Sequence, residues 1–205
     1  MEQKRLKELL EAVAGGAVTP DDAMERLRNL PFEDIGFAKV DHHRHLRKGY
    51  PETVFAQGKT PEQVVAIVTR MREHGSNVLA TRCGREVVEA VVAAHPDAVH
   101  HEVARAITIT VEPPETREGF AAVVCAGASD MPIAEEAAVT CEAMGTSVNR
   151  VYDVGVAGLH RLLEQRAVLD SADVLVVCAG MEGALPSVVA GLVEQPVIAV
   201  PTSVG

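Results

Sequence analysis

Apolar residues follow one rhythm before about residue 77 and another after it. Over the first thirty positions they recur at helical spacing: Leu6, Leu9, Leu10 and Val13 on one segment, Met24 and Leu27 on a second, with Gly15-Gly16 between them. Thr19 is placed to cap the second segment, with Pro20 at its first helical position and Asp21 and Asp22 in its first turn. A polar, irregular stretch from Ala38 to Gly49 breaks the pattern. Thr60 then opens a helix whose apolar face is Val64, Val65, Ile67, Val68 and Met71.

Beyond Asn77 the apolar residues gather into short continuous runs. Asn77–Thr81 predicts a strand, Arg85–Ala94 a helix and Ala106–Val111 a second strand. Pro113-Pro114-Glu115-Thr116 is proline-rich, polar and turn-forming, and marks a boundary. After it the alternation is regular. Strands are predicted at Phe120–Cys125, Ser147–Tyr152, Ala172–Cys178 and Pro196–Val200. Helices lie between them, on Ile133 to Met144, Leu159–Leu169 and Leu185–Val193. Strand-helix repeats of these lengths imply right-handed crossovers and a parallel sheet between helical layers. The chain therefore reads as a smaller α+β region over residues 1–115 and a three-layer α/β domain over 116–205. The last strand is followed at once by the end of the sequence, so one sheet face is expected to lack its covering helix, either because the chain is a fragment or because a partner subunit covers it.

Composition narrows the function. The net charge of −10 argues against nucleic-acid and anionic-membrane binding, and 3% aromatic residues with no Trp leave no stacking platform for single strands. No run approaches the ~20 apolar residues of a membrane helix, and the amphipathic N-terminus has no signal-peptide core. Cys83, Cys125, Cys141 and Cys178 match no zinc or CxxC spacing, and three of them lie in apolar segments. They are expected to be buried, reduced thiols of a cytoplasmic protein.

Ligands of an open parallel sheet bind beyond the carboxyl ends of its strands. Four loops fall at that edge. In Ala126 to Pro132, Ser129 or Asp130 caps the next helix, and small residues let backbone amides approach an anion; a plain N-cap explains the same residues. Asp153 to Arg161 holds Gly155, Gly158 and a His160-Arg161 pair, suited to proton exchange and to pairing a phosphate or carboxylate, or else merely an exposed helix start. In Ala179 to Pro186, Glu182 stands among Gly180, Met181 and Gly183, where folding needs no carboxylate; it suits a general acid/base, a water activator or a ligand clamp, against the bland reading of a dipole-favoured acid. Pro201 to Gly205 adds the hydroxyls of Thr202 and Ser203. Four such loops at one edge predict a site there. Elsewhere, Asp41, His43 and His45 would share a face if their segment were extended, although Arg44, Arg47 and Lys48 repel a cation. His74 and His100-His101 have no partners at ligand spacing. Cys83 lies at a strand-to-helix turn and reads as structural.

The segments ASDMPIAEEAAVTCEAMG, DVGVAGLHRLL and AGMEGALPSVVAGLVEQPVIAVPTSVG, with RHLRKGYPETVFAQGKT in the first half, resemble the LarB family of nickel-pincer nucleotide cofactor biosynthesis over nearly the whole chain. Residues 120–205 also resemble aminoimidazole ribonucleotide (AIR) carboxylase of the PurE type. The resemblance implies a PurE-like domain behind a family-specific N-terminal region, assembled as an octamer or another high-order homo-oligomer. It implies a substrate, nicotinic acid adenine dinucleotide, that is carboxylated at C5 of its pyridinium ring with CO2 or bicarbonate as carbon source, and whose phosphoanhydride is hydrolysed. The products are AMP and pyridinium-3,5-biscarboxylic acid mononucleotide.

By the same resemblance, Glu182 acts near the ring, Ser129 and Asp130 contact the nucleotide, His160 takes the place of a PurE-type proton shuttle, and Thr202 to Gly205 line the ring pocket. The family's nucleophilic cysteine is expected beyond residue 205. Mg2+ is the one added cofactor expected, for the anhydride step, although no metal motif is visible. AIR carboxylase or mutase activity and a catalytically silent nucleotide-binding module are the alternatives.

Overall fold

The structure, a computed structural model, describes residues 3–27 and 32–203. The chain forms two compact units: Met1–His100 with Ile107–Glu112, and His101–Ala106 with Pro113–Gly205.

The first unit begins with helices α1 (Gln3–Ala14) and α2 (Pro20–Leu27). The Asp22 amide donates to Thr19 Oγ1 at 3.1 Å, so the expected cap is present. Met24, expected inside, is 70% exposed. Ala23 and Leu27, one helical turn apart, form the inner stripe instead and turn Met24 outward. Leu10 is likewise exposed, while Leu9 is buried. Two-residue strands β1 (Glu33–Asp34) and β2 (Lys39–Val40) pair antiparallel. The polar stretch around His43 and His45 is not extended, the condition for Asp41, His43 and His45 to share a face, but a turn leading into a short helix, α3 (Arg44–Lys48), which ends on left-handed Gly49.

Strand β3 (Thr53–Phe55) follows, then α4 (Pro61–Glu73), whose N-terminus carries a reciprocal Thr60–Gln63 capping box. β4 (Val78–Thr81), α5 (Arg85–Ala94), β5 (Val99–His101) and β6 (Ala106–Ile109) complete this part of the chain. β4 pairs parallel with β3 and antiparallel with β6. β6 stops short of the expected Val111 because the Val111 and Glu112 amides donate to Asn77 Oδ1, at 2.7 and 3.0 Å, which takes them out of the ladder. One core joins Val54, Ala80 and Ile107 of the sheet to Val64, Val68 and Met71 of α4 and Val87 and Val91 of α5.

The second unit comprises β7 (Phe120–Cys125), α6 (Met131–Ala143), β8 (Ser147–Val151), α7 (Leu159–Glu164), α8 (Arg166–Ser171), β9 (Val174–Ala179), α9 (Ala184–Ala190) and β10 (Val197–Pro201). The order across its sheet is β10-β9-β7-β8, every pair parallel. This is the expected α/β architecture. Alternation along the buried strands separates two cores. Ala122, Val124, Leu175 and Val177 face Leu162, Leu169, Leu185 and Val189 of α7, α8 and α9. Val123, Cys125, Val176 and Cys178 face Ala134 and Ala138 of α6.

Two expected helices are shorter than their patterns. The segment from Leu159 breaks at Gln165 into α7 and α8, and Leu162 and Leu169 both remain fully buried. The segment from Leu185 ends at Ala190, before Gly191. On β10, Ile198 is 53% exposed.

Candidate active site at the strand-end crevice

From β7 the chain crosses to β8 on one side, then returns to place β9 on the other. At that reversal the loops leaving β7 and β9 diverge around a crevice, the position where open α/β sheets take ligands. A cavity of about 300 Å³ lies there, lined by the loops after β7, β8 and β9. It brings together Ser129, Asp130, Gly155, Gly180, Met181 and Glu182 of the expected residues. Asp153, His160, Gly183, Thr202 and Ser203 are not among its lining residues, and Val204 and Gly205 lie outside the described residues.

The loop after β7 is a 3-10 turn, Ala128–Asp130, leading into α6. Asp130 does not cap that helix with its side chain, contrary to expectation. It is only 2% exposed and reaches elsewhere. Its Oδ2 accepts from the Gly127 amide at 3.1 Å, and its Oδ1 accepts from Thr202 Oγ1 at 2.6 Å. Burying a carboxylate costs free energy unless donors replace water, and here two do. Asp130 therefore braces the first loop against the end of β10, while exposed Ser129 presents its hydroxyl at the cavity. Thr202 enters the site through this brace.

After β8, Gly155 packs so closely on the first loop that a Cβ there would lie 2.9 Å from the Ala126 carbonyl oxygen. Only glycine fits. The side chain of Arg161 lies over Gly158 and donates to Asp153 Oδ2 at 2.5 Å. Arg161 lines the cavity and supplies a cation there, whereas His160 points to the exposed side of α7. Arg161 was legible in the sequence as a partner for a phosphate or carboxylate, and the structure gives it Asp153.

After β9, Met181 adopts φ 52° and Gly183 φ 64°, so left-handed backbone flanks Glu182 on both sides. Met181 is 83% exposed. A non-glycine residue in that region is uncommon and strained, and such strain clusters at ligand-binding loops. The turn, closed by a Gly183 amide bond to the Gly180 carbonyl at 2.9 Å, holds the Glu182 carboxylate at the cavity and open to solvent.

None of the thiols is poised as a nucleophile. Burial pushes Cys125 and Cys141 up and Cys178 up to about 12, so all three stay protonated near neutral pH. Cys83 is buried in the core of the first unit. Histidines elsewhere also depart from expectation. Asp41 pairs with Arg47 at 2.6 Å and Arg47 donates to His43 Nδ1 at 3.0 Å, so Asp41, His43 and His45 form no ligand set. His74, expected to stand alone, meets His42 and Glu33.

Residues 32–112 match the LarB/PurE-like N-terminal domain and residues 121–205 match AIR carboxylase. An uncharacterized protein of Methanocaldococcus jannaschii is 35% identical over 211 residues, covering 98% of this chain and 82% of its own length. The N5-carboxyaminoimidazole ribonucleotide mutase of the same organism is 38% identical over 82 residues, 38% of this chain and 50% of its own.

Proposed function

The chain belongs to the LarB family, with a family N-terminal domain and a PurE-like carboxylase domain, and on that premise we propose that it carboxylates the pyridinium ring of nicotinic acid adenine dinucleotide at C5 and hydrolyses its phosphoanhydride. The products are pyridinium-3,5-biscarboxylic acid mononucleotide and AMP. The observation that carries this reading is the convergence of three strand-end loops on one cavity that presents a carboxylate, Glu182, and a cation, Arg161. A cavity of about 300 Å³ suits the nicotinate mononucleotide half of the substrate, with the adenylate half extending outward.

The chemistry sets the roles. A pyridinium ring is electron-poor and does not attack CO2. A thiolate must first add to the ring, turning it into an enamine-like dihydropyridine whose C5 is electron-rich. C5 then forms the bond to CO2, its proton passes to a base, and departure of the thiolate restores the aromatic ring. The net change is loss of one C5 proton for one carboxylate. Glu182 is the base in this proposal, or the activator of water in the anhydride step. Arg161 neutralises phosphate charge, and Ser129 and the amides of the first loop bind the nucleotide. The thiols described above do not fit the nucleophile's part, and we assign it to a thiolate outside these 205 residues.

Mg2+ is held by one or two carboxylates together with substrate phosphates. At this cavity both Asp130 oxygens are engaged and Asp153 is paired with Arg161, which leaves Glu182 alone as a donor. Glu182 together with the substrate phosphates would hold the ion, which would neutralise charge at the anhydride. A homo-oligomer, an octamer in the family pattern, belongs to the same proposal; the exposed Ile198 on β10 is consistent with subunit contact.

AIR carboxylase or mutase activity is the second reading, favoured by the likeness of the second unit to the N5-carboxyaminoimidazole ribonucleotide mutase. Against it, no histidine is among the residues lining the cavity, and Met181-Glu182-Gly183-Ala184 stands where the PurE pattern has its histidine loop. Supplying labelled bicarbonate with either dinucleotide or AIR separates the two. In a preparation that includes the nucleophilic thiol, label fixed in the pyridinium mononucleotide is the expected result, and label fixed only in the imidazole ribonucleotide would transfer the assignment to purine synthesis.

A further inference from the structure

The first unit gathers a separate set of donor atoms. Glu33 stands in β1, His42 follows β2 and His74 closes the end of α4. One side-chain donor atom from each lies within 4.8 Å of the other two. Nε2 of His42 is 3.3 Å from Glu33 Oε2, and the two imidazoles stack with centroids 3.6 Å apart and planes inclined by 18°. The His42 side chain is 2% exposed and that of His74 29% exposed.

Packing alone does not account for this arrangement. Two stacked imidazoles repel as soon as both carry charge, so a stack this close favours at least one neutral ring, the form that ligates a metal. His74 Nδ1 lies 2.9 Å from the Arg70 carbonyl oxygen, which only accepts. The same Nδ1 is the His74 nitrogen that faces Glu33 Oε2, at 3.9 Å, so ligation through it requires the contact with the Arg70 carbonyl to be given up. Glu33 divides its oxygens: Oε1 faces Arg70 Nε at 3.6 Å, while Oε2 faces the two imidazoles. Arg70 is itself paired with Glu73 at 2.7 Å, which offsets its charge beside the cluster.

We propose that Glu33, His42 and His74 bind a divalent transition metal of zinc-like character, through two nitrogens and one oxygen, with a fourth position for water. Bonds of about 2.0–2.2 Å in tetrahedral geometry bring ligand atoms to roughly 3.2–3.5 Å from one another. His42 and Glu33 already stand at that separation, at 3.3 Å. His74 has to close in, and as a half-exposed residue at a helix end it can leave the stack to do so. The ion replaces the proton shared between His42 and Glu33, and ties the β1–β2 hairpin to the end of α4.

The full chain, freed of metal by chelator dialysis, is titrated with Zn2+ by calorimetry and with Co2+ by visible absorption. One equivalent per chain is expected, with cobalt bands of tetrahedral intensity and no thiolate charge-transfer band. His74→Asn and Glu33→Gln, each checked for native circular dichroism, weaken binding by at least about tenfold, and His43→Asn with His45→Asn leaves it unchanged. Absence of saturable binding, a thiolate band, or equal affinity in His74→Asn and Glu33→Gln would overturn the site and leave a hydrogen-bonded histidine pair.

Discussion

Burial shifts imidazoles in the first unit and thiols and a phenol in the second, and so the two meet changes of pH from opposite ends. The first buries imidazoles: burial holds His42, His45 and His95 below their ordinary range, with the charge of His74 adding at His42 and that of Arg72 at His95. The second buries thiols and a phenol: burial pushes Cys125, Cys141, Cys178 and Tyr152 upward, with the Glu135 carboxylate that accepts from Tyr152 adding at the phenol. In each case the fold favours the neutral form. The candidate functional groups follow the same division. The second unit presents them on strand-end loops of a sheet packed on both faces, where backbone sets the geometry. The first holds them as side chains inside a cluster joining a two-residue hairpin to a helix end.

That contrast is tested hardest at Glu182. If the loop after β9 carries the proton-transfer group, Glu182→Gln in an active preparation lowers turnover by about 10²–10⁴-fold while nucleotide affinity, measured by calorimetry, stays within a few-fold. Near-normal turnover would remove Glu182 from the mechanism. A smaller effect, now on stability, is expected in the sheet. Leu175 is fully buried against the α7–α9 layer, and Leu175→Ala should cost about 2–5 kcal/mol in denaturant unfolding. A cost below about 1 kcal/mol would mean that this face of the sheet is loosely packed.

Gly155→Ala comes next. Its Cβ would press on the Ala126 carbonyl, so a loss of roughly 1–3 kcal/mol is expected, together with weaker nucleotide binding as the two loops part. Unchanged binding would show that the seam between those loops is not part of the cradle.

The gentlest test is pH itself, read by local hydrogen exchange. A histidine whose pKa is depressed on folding binds fewer protons folded than unfolded, so its contribution is present above the unfolded value of 6.5 and is lost as pH falls below it. A thiol whose pKa is raised binds more protons folded, so its contribution is present below the unfolded value of 9.0 and is lost as pH rises from there toward about 12. Protection should fall first around His42 and His95 in acid, and first around Cys125 and Cys178 in alkali. The reverse order would break the contrast.

How much of this was legible in the sequence also divides between the units. Phe120–Cys125 is a six-residue apolar run, and its strand has the expected limits because burial on both faces demands such a run. The loops at its carboxyl edge follow from topology, so Ser129, Gly155 and Glu182 could be placed before any coordinates. β1, β2 and β3 have two or three residues each, too few for any period to register, and they stayed invisible. Glu33, His42 and His74 come together only through those strands and the end of α4, and their positions in sequence have no motif spacing. Local rules offer Ser129 or Asp130 as a helix cap, whereas the decisive partner of Asp130, Thr202, lies 72 positions away.

That distance bears on how the protein is made. A ribosome adding about 5–20 residues per second needs several seconds to travel from Asp130 to Thr202. Until the far hydroxyl has emerged and β10 has docked beside β9, one oxygen of a carboxylate destined for the interior lacks its donor. The loop after β7 is thus latched by a residue that is made long after it, once β10 is in place.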